Sequence, residues 1–134
     1  MTVVVGYVPD ATGYLAVTEA VQQAGWRQTD VVVVNVVDSA GFAKPTAADE
    51  RDLDAVTARL AAEGVDFDVR HLDLASRHVS DLLLEVAAEV AADLIVVGLQ
   101  RRSPVGKAIL GSTAQRVLLA ATCPVLAVHA PEPD

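Results

Sequence analysis

The sequence predicts an α/β fold: a three-layer sandwich with a five-stranded parallel sheet and helices on both faces. Three observations predict it. Valine-rich runs alternate with amphipathic helical stretches along the whole chain. Such alternation closes only through crossover connections, which make neighbouring strands parallel. The runs themselves lack a polar–apolar rhythm, the mark of strands covered on both faces. The length of 134 residues suits a single domain, 1–134, with enough core to need no staple.

Each element follows from its pattern. Thr2 to Val8 reads as the first strand. Tyr14, Val17, Val21 and Ala24 share one helical face, and Gly25 is expected to end that helix. Asp30 to Val37, with six valines, is the second strand. Ser39 to Pro45 is a loop, and Thr46 followed by Asp49 and Glu50 resembles an N-cap with acids in the first turn. Leu53, Val56 and Leu60 form the core stripe of the second helix, which Gly64 stops. From Val65 to Leu72, Val65, Phe67 and Val69 alternate with Asp66, Asp68 and Arg70, the pattern of a half-exposed edge strand. Ser80 to Ala92 is the third helix, with Leu83, Val86, Ala87 and Val90 inward and His78 at its entry. Asp93 to Gly98 is the fourth strand. Ser112 to Ala121 is the fourth helix, and Ser112 with Gln115 is spaced as a capping box. Pro124 to His129 is the fifth strand, and Pro131 to Asp134 is expected to fray.

Composition narrows the partners. A formal net charge of -8 repels phosphate backbones, so nucleic acid is not an expected partner. No apolar run approaches the roughly 18 residues of a membrane span, so no membrane partner is expected. Met1 and Thr2 lead straight into valines without a basic leader, and the single Cys123 cannot form an intrachain disulfide. Together these predict a cytoplasmic protein. Cys123 itself reads as a small buried apolar residue.

Against the global charge, no acidic residue stands between Asp93 and Glu132, a stretch that carries Arg101, Arg102, Lys107 and Arg116. Within it an apolar run ends at Gly98, a Gly/Ser/Arg/Lys loop follows, and a helix opens near Gly111, Ser112 and Thr113. Strand, loop, helix start is how backbones make anion sites. The first helical N–H groups lack partners, and the helix dipole adds partial positive charge there. Pro9 and Asp10 leave the first strand in a similar turn. If the first and fourth strands are neighbours, both turns border one crevice. Several motifs fail. Gly106-Lys107 is followed by Ala108 where a P-loop needs Ser or Thr. No G-x-G-x-x-G follows the first strand, and no G-x-S-x-G is present. His71, His78 and His129 are not spaced as metal ligands.

The stretches Asp93-Leu-Ile-Val-Val-Gly98, Leu110-Gly111-Ser112-Thr113-Ala-Gln-Arg116-Val-Leu-Leu and Cys123-Pro124-Val-Leu-Ala-Val128 resemble the universal stress protein family. Gly98, Gly111 and Ser112 fall at the spacing of the G-x2-G-x9-G-[ST] motif in its nucleotide-binding members. The resemblance implies strand order 3-2-1-4-5, an adenine-nucleotide α-hydrolase-like fold, and a homodimer through the last strand, Pro124 to His129. It implies ATP, with Mg2+, as ligand, the phosphates lying against the glycine loop and the fourth helix. Ribose and adenine would lie near the ends of strands one and two, beside Pro9, Asp10 and Val34. The sequence departs from the pattern at two positions. Arg101 replaces the motif's second glycine, and Val8 stands where an acid often ends the first strand, with Asp10 two residues on. The Arg101 side chain either fills the phosphate space or binds phosphate through its guanidinium.

Three functions compete at this point. One is a stress-response regulator that binds an adenine nucleotide. The second is a dimeric interaction protein that binds none. The third is slow ATP hydrolysis or autophosphorylation, which the absence of a recognisable general base near the loop disfavours.

Overall fold

Valine's branched Cβ favours extended backbone and packs well on a pleated sheet, and valine builds most of this one. The computed structural model describes residues 2–7, 11–37, 47–75, 77–99 and 111–129. The strands are β1 (Thr2–Tyr7), β2 (Asp30–Val37), β3 (Phe67–Asp73), β4 (Ala92–Leu99) and β5 (Val125–His129). The helices are α1 (Ala11–Arg27), α2 (Ala47–Ala62), α3 (Val79–Glu89) and α4 (Ser112–Ala120). The sheet order is β3-β2-β1-β4-β5, and every adjacent pair is parallel.

The pleat sends alternate residues to opposite faces, and two cores result. Val3, Val5, Val31, Val33, Leu94 and Val96 meet α1 and α2 on one face. Val4, Val32, Val34, Ile95 and Val97 meet α3 and α4 on the other. All eleven are 0–4% exposed, and each buried branched side chain contributes about 1.5–3 kcal/mol of transfer free energy. Gly6 lets α3 settle on β1. A Cβ built there would stand 3.2 Å from Leu83 Cδ1.

The element boundaries show where local chemistry and sequence pattern part. α2 stops as expected at Gly64, whose φ is +71. The Val65 N–H donates to the Leu60 C=O at 3.2 Å, and the Gly64 N–H to Ala61 at 3.1 Å. α1, however, runs through Gly25 to Arg27, a correction to the expected stop. The left-handed residue closing α1 is Gln28, at φ 54. Its N–H donates to Gly25 at 3.3 Å, and the Thr29 N–H donates to Ala24 at 3.0 Å. That bond pattern is a Schellman end, here made without glycine. α3 ends at Glu89, before the expected Ala92, because Ala91 at φ 52 turns the chain into β4.

β3 lies at the sheet edge, as its alternation predicts. Val65 and Val69 pack against the first core. Phe67 does not go fully inward; it is 37% exposed. It opens an edge strand, where a neighbouring strand covers one side only. Arg70 ties this edge down, reaching Asp68 at 3.4 Å and Glu89 at 2.7 Å. The bond to Glu89, above all, raises its guanidinium pKa further. The expected loop at Ser39–Pro45, the Thr46 cap, Val8 at the end of the first strand and the tail lie outside the described residues.

Candidate functional site

β1 and β4 stand side by side at the centre of the sheet, with Val5 opposite Val96. From this pair the chain winds in opposite directions. β1 leads into α1 on one face and toward β2, while β4 precedes α4 on the other face and leads toward β5. This is the switch point of the sheet, where open α/β folds leave a crevice beyond the carboxyl ends of their strands. The adjacency on which the shared crevice depended is therefore present.

Gly98 is half-buried near the end of β4, opposite Val128 of β5. Gly111 is the N-cap of α4, with extended backbone at φ -66 and ψ 160. A Cβ built on it would have no atom of the described residues within 4 Å. Ser112 is the first helical residue and is exposed, and Thr113 is half-buried behind it. The expected capping box is corrected here. Ser112 sits one position too late to cap, and Gly111 has no side chain to cap with. The Gln115 N–H instead donates to the Gly111 C=O at 2.9 Å. The N–H groups of Ser112, Thr113 and Ala114 precede the first intrahelical bond, and the N-cap residue offers them no side-chain cap. No acid stands in that first turn. The dipole and the free donors therefore favour an anion.

Val34 lies opposite Gly6 in the β1–β2 pairing, and its side chain is wholly within the second core. Pro9, Asp10, Arg101 and Arg102 lie outside the described residues. One pair was not singled out from the sequence. Asn35 interrupts the valines of β2 and faces His71 on the adjacent strand β3, Nδ2 to Nδ1 at 3.2 Å. The signal was the polar residue within an apolar run. Cys123 is half-buried beneath α4. Burial, and after it the charge of Asp93, push its thiol pKa up, which suits packing and not nucleophilic chemistry.

Among the described residues no three His, Cys, Asp or Glu side chains group to hold a metal. No described helix is long and apolar enough to cross a membrane. The described part of the site thus offers N–H donors at the start of α4 and a hydroxyl at Ser112, which is binding chemistry.

Comparison with known proteins agrees with this geometry. Residues 1–129 match the family model described as the universal stress protein family. A universal stress protein of Mycolicibacterium smegmatis is 36% identical over 126 residues, covering 94% of this chain and 95% of its own. The structure of a universal stress protein from Archaeoglobus fulgidus is 28% identical, with a TM-score of 0.77 over 95% of this chain and 97% of that one. A universal stress protein solved in complex with cAMP is 29% identical, with a TM-score of 0.75 over 96% of each chain. The fold, the motif spacing and the length of the match agree, and the chain belongs to the universal stress protein family.

Proposed function

We propose that this protein is a stress-response regulator that binds an adenine nucleotide at the β1/β4 switch point. The observation that carries the reading is the uncapped, acid-free start of α4, opening from Gly111 across the loop from Gly98. Phosphate would lie on the N–H groups of Ser112 to Ala114, with the Ser112 hydroxyl beside it. The cAMP complex of a relative 29% identical supports an adenine nucleotide over other anions. ATP with Mg2+ is the proposed form, and binding rather than turnover is the proposed activity. Arg101, in place of the motif glycine, would contribute a guanidinium to the phosphates.

The test is a thermal scan with ATP and magnesium, AMP or cAMP. Ligand at about 100 times Kd adds about 2.7 kcal/mol of stability, which raises the melting temperature of a domain this size by several degrees. Arg101→Ala should weaken binding by about 1.5–3 kcal/mol. If Arg101 instead blocks the site, Arg101→Gly should tighten binding.

A second reading, a dimeric interaction protein without nucleotide, is favoured by Arg101 itself, since a side chain there crowds backbone approach to phosphate. No shift with any nucleotide at millimolar concentration would select it. Both readings share a proposed homodimer through β5, whose edge carries Val125, Leu126, Ala127 and Val128 and no charge.

A further inference from the structure

At the amino end of the sheet, opposite the crevice, α1 and α2 leave a groove of about 460 Å3 between their last turns. Val21, Gly25 and Trp26 line it from α1, and Arg59, Glu63 and Val65 from the other side. Trp26 is the chain's single tryptophan and is 69% exposed. It contributes little to either core from that position, whereas tryptophan and arginine are the residues most enriched where binding energy concentrates.

Arg59 is the second observation. Its side chain is half-buried and held on one side by Tyr14. Nη1 donates to the Tyr14 hydroxyl at 3.0 Å, and Cζ lies 5.6 Å from the ring centroid. Its Nε is buried and reaches no acceptor. Ion pairs among the described residues join Arg70 to Asp68 and Glu89, and Arg77 to Glu85. Arg59 has none there, although Glu63 stands one turn further on and the chain is strongly acidic. A guanidinium orientated by Tyr14, lining the groove and in no ion pair among the described residues, has donors left for an anion.

We propose that this groove is a ligand site, separate from the nucleotide crevice, for a small planar aromatic carboxylic acid. The ring lies against the Trp26 indole over Val21 and Val65, and the carboxylate meets Arg59. Gly25 keeps the α1 wall low, since nothing lies within 4 Å of a Cβ built there. The ligand carries a single negative charge, because one cation among the described residues lines the groove and Glu63 opposes a dianion such as a phosphate ester. The groove's volume falls in the usual range for small-molecule sites.

The test is 15N NMR on the whole chain, following the Trp26 indole N–H and the Arg59 Nε–H. The probes are 2-naphthoate and its neutral amide. The expected result is saturable shifts of both signals with the acid, and binding of the amide weaker by about tenfold or more, the scale of one charged hydrogen bond. Arg59→Lys, which keeps the charge but loses the fork, should weaken the acid about tenfold. Trp26→Leu, read on the Arg59 signal, should also weaken it. Equal binding of acid and amide, an unchanged affinity in Arg59→Lys, or shifts that never saturate would each overturn the proposal. Saturating ATP should leave the affinity unchanged, and competition between the two would overturn the claim of a separate site.

Discussion

Ser80 is 1% exposed, and its hydroxyl reaches no partner. It sits in the first turn of α3, among residues that otherwise bury apolar groups. A buried hydroxyl left unpaired costs about 1–3 kcal/mol of desolvation, and alanine removes that cost with little change of shape. Ser80→Ala should therefore raise stability by up to about 1 kcal/mol in a urea melt. A loss of that size instead would show that the hydroxyl is satisfied in solution. That Gly98 lies near the end of β4 and Ser112 at the start of α4 was legible in the sequence. What was not legible was the role of Ser112. Capping depends on whether the chain enters the helix at residue 111 or 112, a one-residue choice that the backbone makes.

The ends of α1 and α2 pose one problem with two solutions. Both close with the same pair of backbone bonds, yet one uses Gly64 and the other Gln28. A side chain in the left-handed region costs about 1–2 kcal/mol, offset in part by glycine's larger loss of chain entropy. Gln28→Gly should thus stabilise by about 0.5–1 kcal/mol, and Gly64→Ala should destabilise by about 1 kcal/mol. Calorimetry on the two variants checks both signs; a loss on Gln28→Gly would mean the glutamine side chain stabilises this turn. Helical periodicity placed both helices, but Gly25 misled because glycine within an exposed helical turn is tolerated at a modest cost.

Across the whole molecule the two sheet edges differ. β3 carries Asp68, Arg70 and Asp73 with Arg70 tied to Glu89, which guards it against pairing. β5 is an uncharged run of half-buried residues up to His129. The Ile95 N–H donates to Pro124, and the parallel ladder then turns the polar groups of Leu126 and Val128 toward β4. Those of Val125 and Ala127 face the open edge. Ala127→Pro removes an outward N–H and spares the inward ladder. It should convert the proposed β5-paired dimer to a monomer while leaving the circular dichroism unchanged. Light scattering coupled to size exclusion reads the result: a wild-type mass near 14.0 kDa removes the dimer, and a dimer that persists in Ala127→Pro places the contact elsewhere.

The sequence by itself determined the layers. Unbroken valine runs require helices on both faces, and βα alternation requires parallel strands, because apolar surface must be covered and crossovers run one way. It also determined that Gly98 and Gly111 bracket a basic, acid-free stretch. Which strands are neighbours did not follow from periodicity; the family resemblance implied the order, and the tertiary structure sets β1 beside β4 at the switch point of the sheet. It also brought Trp26 and Arg59, far apart in the chain, to the two sides of one groove. Periodicity reports which face of an element is apolar; it carries no information about which other element will cover that face.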